Sequence, residues 1–190
     1  MSNETKSELL VLLKQKSVFH GDFTLASGAK SNFYIDCRLT TLDARGAWLV
    51  GQVFHSLIRQ KEKELGVTIR AVGGLTMGAD PIALAVAMVS HWAKDPAPLQ
   101  AFVVRKQPKG HGQTKQVEGN FQAGDTVVVI DDVITTGEST IKAITAVREA
   151  GGTVAFAAVL VDRQGTGRAN IEAAGVAVVS AFTKDELLAR

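Results

Sequence analysis

Apolar positions along the chain keep two rhythms, and each rhythm predicts its own elements. Leu9, Leu10, Leu12 and Leu13 share one helical face, with Thr5 and Glu8 at capping-box spacing just ahead of them. Two short runs at 23–25 and 32–35 read as strands joined by a turn at Ser27-Gly28. A long helix then follows a cap at Asp43. Its Val50, Val53, Phe54, Leu57 and Ile58 fall at i, i+3, i+4, i+7 and i+8, a single stripe.

From there short apolar strands alternate with helices. Strands are predicted at 69–73, 101–104, 126–130, 154–161 and 176–181. A helix should start at Asp80-Pro81, with Asp as cap and Pro in the first turn. Two more are predicted at 140–150, closed by Gly151-Gly152, and at 168–174. Continuous apolar strands between helices mean a mostly parallel sheet covered on both faces. The expected fold class is α/β, one domain over 1–190, with 1–40 as a small N-terminal cap and 41–190 as the α/β core. Ligands of such sheets bind at the carboxyl ends of the strands. The glycine-rich and polar segments 73–78, 105–119 and 131–139 fall there, so they should build one composite site.

Composition narrows the classes. The 190 residues hold 46% hydrophobic and 21% charged positions, ordinary for a folded globular protein. Lys plus Arg number 21 against 19 Asp plus Glu, a formal charge of only +2, which argues against a chain that coats nucleic acid or anionic membrane. No stretch reaches the roughly 18 consecutive apolar residues of a membrane span. Residues 1–16 carry Glu4 and Glu8 with no signal-peptide core. The single Cys37 excludes an internal disulfide and a multi-cysteine zinc site, and a cytoplasmic protein is expected.

The strongest chemical signal runs from Val127 to Thr140. An apolar strand delivers Asp131 and Asp132; Val133 and Ile134 follow, then Thr135-Thr136-Gly137, and a helix begins at Glu138-Ser139-Thr140. A helix start presents free N–H groups and partial positive charge, which suits a phosphate. The hydroxyls add donors, and Gly137 lets the backbone approach closely. The acids instead accept from sugar hydroxyls or hold Mg²⁺. Together they describe a phosphorylated ribose. Simple capping of the next helix accounts for one acid, but not for two acids and the turn.

The second signal is 105–119, a predicted mobile loop. Arg105, Lys106, Lys109, Lys115 and His111 fall within eleven residues without an acid, broken by Pro108, Gly110 and Gly112. Such a loop can close over a polyanion and neutralise charge growing on a leaving group. A solvated basic loop is the plainer alternative. A nucleic-acid patch is disfavoured by the absence of interleaved aromatics.

The acid segment resembles the phosphoribosyl-pyrophosphate (PRPP) motif of type I phosphoribosyltransferases. The spacing Arg105-Lys106-x-x-Lys109-x-His111-Gly112 is similar to the catalytic loop of the orotate phosphoribosyltransferase family. So are residues 23–36, the run from Gly74 to Pro81, and Val161-Asp162-Arg163, in the family's order from about Phe19 to Arg163.

The resemblance implies a type I phosphoribosyltransferase fold with an N-terminal hood. It also implies transfer of the phosphoribosyl group of PRPP to orotate, giving orotidine 5′-phosphate and pyrophosphate in pyrimidine synthesis. PRPP would be bound by Arg105, Lys106, Lys109, His111, Asp131, Asp132, Val133, Ile134, Thr135, Thr136, Gly137, Glu138 and Ser139. Lys109, Arg105 and His111 would carry catalysis, and Thr135 and Arg163 would bind orotate. Mg²⁺ is the implied cofactor, held mainly by PRPP, with Asp131 or Asp132 left open as a protein ligand. The implied assembly is a homodimer in which Arg105, Lys109 and His111 serve the partner's site and Lys106 its own.

Two positions depart from the pattern. Ala26 and Met77 stand where well-known members carry lysines. Tyr34 and Ile35 occupy positions where family aromatics pack on the base, and packing within the cap is the equal alternative. His20, His55 and His91 read as structural, Cys37 as a packed thiol, and Trp48 and Trp92 as helix packing or dimer contacts. A purine transferase shares the PRPP motif but not the 105–112 loop or the 23–25 segment. A PRPP-sensing regulator would add a DNA-binding domain or a basic face.

Overall fold

The computed structural model describes residues 3–24, 30–107 and 115–189. Helix α1 (Asn3–Lys16) starts two residues ahead of Thr5, so the predicted capping box lies inside the helix. Glu8 turns outward to accept from Arg45 Nε at 2.7 Å. Strands β1 (Val18–Thr24) and β2 (Lys30–Ile35) pair antiparallel as a separate two-stranded sheet, the hood. The predicted Ser27-Gly28 turn lies outside the described residues. A single turn, α2 (Arg38–Thr41), leads to α3 (Ala44–Leu65), whose cap is Asp43 as predicted, accepting from the amides of Arg45 and Gly46.

The remaining elements alternate. They are β3 (Ala71–Leu75), α4 (Ala79–Trp92), β4 (Gln100–Val104), β5 (Val117–Gly119), β6 (Thr126–Ile134), α5 (Glu138–Glu149), β7 (Thr153–Asp162), α6 (Gly167–Ala173), β8 (Val178–Thr183) and α7 (Lys184–Leu188). One six-stranded sheet runs in the order β5-β4-β3-β6-β7-β8 and is parallel except for the β4–β5 pair. Helix α4 begins one residue before Asp80, which therefore sits in its first turn rather than at its cap.

Period-two alternation in β6 and β7 divides the core between the faces. Val128, Ile130, Phe156 and Leu160 pack with Leu9 and Leu13 of α1, Val50 and Phe54 of α3 and Val86 of α4. Val127, Val129, Ala157 and Val159 pack with Ala143, Ile144 and Val147 of α5 and Ile171 of α6. Each of the larger aliphatic and aromatic chains, fully buried, contributes about 1.5–3 kcal/mol. This sandwich fixes the strand ends that carry the polar residues.

Candidate functional site

Strand β6 runs four residues past its predicted end, so Asp131 and Asp132 lie within the strand. The strand stays in the β7 ladder on either side of Asp132, with Asp131 opposite Val159, Val133 opposite Val161 and Ile134 opposite Asp162. Asp131 is buried. Its Oδ2 accepts from Ser139 Oγ and Thr140 Oγ1, both at 2.7 Å, and its Oδ1 from the Asp132 amide at 3.0 Å. Asp131 thereby ties the strand to the first turn of α5. Asp132 Oδ1 accepts from the Val133 amide at 2.9 Å. Burial, and then the neighbouring Asp131 charge, push the Asp132 carboxyl up to about 6. A carboxylate in this condition gains from a cation or from hydroxyl donors.

Gly137 precedes α5 with φ +78°, the left-handed region that glycine supplies. A Cβ there would lie 2.8 Å from the Gly167 carbonyl oxygen. The turn rests on α6: the Gly167 amide donates to Thr135 O at 3.0 Å, and Asn170 Nδ2 donates to Thr136 O at 2.9 Å. Thr135, Thr136 and Glu138 are exposed beside the open amides of the helix start, whereas Ser139 already donates to Asp131. The pair Gly165 and Gly167 beneath the turn was not singled out in the sequence. Two glycines spaced two apart just after a strand were the available signal.

Arg163 follows β7, and its amide donates to Ile134 O at 3.1 Å. Asp162, buried, frames it by accepting from the Gln164 amide at 2.7 Å and from Arg168 Nε at 2.9 Å. The Arg163 guanidinium carbon lies 5.3 Å from the centroid of the Phe33 ring in the hood. Phe33 is thus the hood aromatic beside Arg163. Tyr34 is tilted against Phe23, ring centroids 5.7 Å apart, and Ile35 is buried in the core.

The stretch predicted as one loop from 105 to 119 ends in strand β5. Its base is closed like a hairpin by the Arg105 amide to Gln116 O at 2.9 Å and Gln116 Nε2 to Arg105 O at 3.0 Å. Arg105 Nη1 lies 3.2 Å from Glu118 Oε1. Three residues without an apolar run gave no strand signal. Lys106 is exposed at the described end of the loop. Lys109 and His111 lie outside the described residues, as does Ala26.

Other residues resolve differently. Cys37 is fully buried, and burial, Asp132 and Asp36 in that order raise its thiol well above the ordinary range. His55 is structural, as predicted: its Nε2 is 2.7 Å from Asp95 Oδ2. Trp92 is 76% exposed, which removes helix packing as its role. Among the described residues no helix is long and apolar enough to cross a membrane, and no group of three His, Cys, Asp or Glu could hold a metal ion alone. A hard cation here needs oxygens from a ligand as well as from Asp131 or Asp132.

Two carboxylates, a helix-start turn and a guanidinium thus stand at adjacent strand ends. The family model described as a phosphoribosyl transferase domain matches residues 50–180. The chain is 42% identical to the orotate phosphoribosyltransferase of Aquifex aeolicus, over 96% of this chain and 97% of that one. It is 45% identical to the orotate phosphoribosyltransferase of Streptomyces coelicolor, over 97% of each. It also superposes with a TM-score of 0.77 on the crystal structure of Mycobacterium tuberculosis orotate phosphoribosyltransferase in complex with PRPP, at 34% identity, covering 96% of this chain and 98% of that one. The chain belongs to the phosphoribosyltransferase family, in its orotate phosphoribosyltransferase branch.

Proposed function

We propose that this chain joins orotate to the anomeric carbon of PRPP through the residues gathered at the ends of β6 and β7. The observation that carries this reading is the shared ladder that sets Asp131 and Asp132, the 135–139 turn and Arg163 side by side. The turn Thr135 to Ser139 takes the 5′-phosphate on its amides and hydroxyls. Asp131 and Asp132 accept from the ribose hydroxyls. Arg163 offers a planar fork to the orotate carboxylate, with Thr135 beside the base. Arg105, Lys106, Lys109 and His111 surround the pyrophosphate.

As N1 of orotate bonds to C1, the C1–O bond breaks and its electron pair leaves with pyrophosphate. The N1 proton passes to solvent. The cationic loop stabilises the charge that grows on the leaving group, and its closure keeps water from C1. Mg²⁺, if bound, would add to that neutralisation, and Asp131 or Asp132 would be the protein residues to hold it.

The reading extends to a cytoplasmic homodimer, with 1–40 as hood, 41–190 as core, and loop residues lent across the interface. An exposed apolar stripe on α4 supports the dimer: Leu84, Met88 and Trp92 are 58%, 62% and 76% exposed at i, i+4 and i+8.

The test follows orotate absorbance with PRPP and Mg²⁺, with hypoxanthine, guanine and uracil run in parallel. Orotate should be consumed and the other bases left. Consumption of a purine but not orotate would overturn the reading.

A further inference from the structure

The turn from β3 into α4 reads Leu75-Thr76-Met77-Gly78 and carries no cationic side chain. It nevertheless borders the acid pair: a Cβ on Gly78 would lie 2.5 Å from Asp132 Oδ1. On the PRPP reading, a diphosphate departing from a sugar held at Asp132 would pass this edge and would need a charged partner there.

Between this turn and the chain leaving the hood lies a cavity of about 520 Å³, lined by Asp36, Arg38, Leu39, Leu42, Asp43 and Met77. Arg38 is the cation among these residues. Its Nε donates to Asp36 Oδ1 and its Nη2 to Asp36 Oδ2, both at 2.8 Å. That bidentate contact uses one edge of the guanidinium and fixes its plane. Among the described residues the Nη1 hydrogens have no partner, so a second edge of the same plane is open. The side chain is 47% exposed, enough for a ligand to reach it.

The two carboxylates lining the cavity are both engaged. Asp36 is taken by Arg38, and Asp43 by Lys16 and by the amides it caps. Asp43 is thus offset by Lys16, and Asp36, which offsets the Arg38 charge, leaves the Nη1 hydrogens free to donate. The Asp36 hydrogen bond and charge hold Arg38 firmly protonated, with smaller contributions from Tyr34 and Asp132.

We propose that Arg38 is a pyrophosphate-binding residue, clamped by Asp36 on one edge and offering its other edge to a phosphate oxygen beside Met77. The inference rests on the PRPP reading above. It assigns to the hood junction a cation that the β3–α4 turn itself does not supply.

The test titrates inorganic pyrophosphate with Mg²⁺ into the full chain by calorimetry, and separately measures KM for PRPP and for orotate. Arg38→Ala should weaken pyrophosphate and raise KM for PRPP roughly 10- to 100-fold, the scale of a lost charge-assisted contact, with KM for orotate within about twofold of wild type. Arg38→Gln keeps much of the length and polarity without the charge, and should lose as much. Met77→Lys added to either variant should return at least about fivefold of the affinity, because the new ammonium enters the same cavity. Pyrophosphate affinity unchanged in both Arg38 variants overturns the assignment. So does an equal rise in KM for orotate, the mark of a general structural role. The transferase reading fails separately: a wild-type chain that binds pyrophosphate through Arg38 but consumes no orotate would sink that reading and keep this one.

Discussion

Arg163 and Phe33, 130 positions apart in the chain, meet with the guanidinium carbon 5.3 Å from the ring centroid. The hood thus holds the side chain that, on the proposed function, meets the base. A cation over an aromatic face is worth about 0.5–1 kcal/mol when part-exposed. Phe33→Leu keeps the bulk but removes the face. Its KM for orotate should rise about two- to fivefold while KM for PRPP stays unchanged, as steady-state kinetics with each substrate varied will show. An equal rise in both would mean that the hood positions the whole site.

Asp132 is held in an environment that penalises its charge, first by burial and then by Asp131. Its folded pKa of about 6 lies above the ordinary 3.8, so ionisation costs stability above about pH 6, and the cost fades as pH falls toward 4. Asp132→Asn should therefore raise the Tm of the free protein at pH 7–8, with the gain gone near pH 4, and should lower PRPP affinity. Thermal scans across that range check the sign. A gain that persists unchanged at pH 4 would point to packing instead.

Gly137 is the tight point of the turn between β6 and α5. Alanine there meets both the left-handed φ of +78° and the Gly167 carbonyl at 2.8 Å. Gly137→Ala should cost at least about 2 kcal/mol in urea unfolding, above the roughly 1–2 kcal/mol of the conformation alone, and should weaken PRPP more than orotate.

Far from the site, Asp95 gathers Ser90, His55 and Arg59 onto Oδ2 and so ties α3 to the segment entering β4. Burial raises its pKa, but the hydrogen bonds from Ser90, His55 and Arg59 outweigh it and bring the carboxyl to about 2. Its stabilisation is full above about pH 4 and is lost as pH falls from 3.8 toward 2. Asp95→Ala should lose about 2–3 kcal/mol at neutral pH, and the gap to wild type should narrow across that acid window.

Loop lending across a homodimer makes a prediction by mixture. Lys109→Ala and Asp131→Ala, each inactive alone, should regain part of the activity when mixed, because hybrid dimers carry one intact site. No recovery after verified subunit exchange would count against lending.

The α/β alternation was legible because each buried strand is an unbroken apolar run, and Asp43 because capping is local. The acid pair was legible too, since its chemistry lies in consecutive residues. Three features were not. The extension of β6 through Asp131 and Asp132 depends on pairing with β7, which no acidic dipeptide announces. Phe33 could not be told from Tyr34, because the choice is made by the position of Arg163 in space. The Asp95 network joins residues up to 40 apart, and its donors carry no common spacing.

Because β6 stays in register with β7 up to Ile134 and Asp162, the acids and Arg163 are mounted on one hydrogen-bonded rail. Three residue steps along the strand separate Asp131 from Ile134, whose carbonyl holds the Arg163 amide, a span of about 10 Å. Such a rail acts as a ruler. The separation of the backbone positions that carry the acids and Arg163 is set by strand geometry, which no side-chain rotation shortens. On the proposed function, the span offered to a nucleoside was set when the sheet was formed.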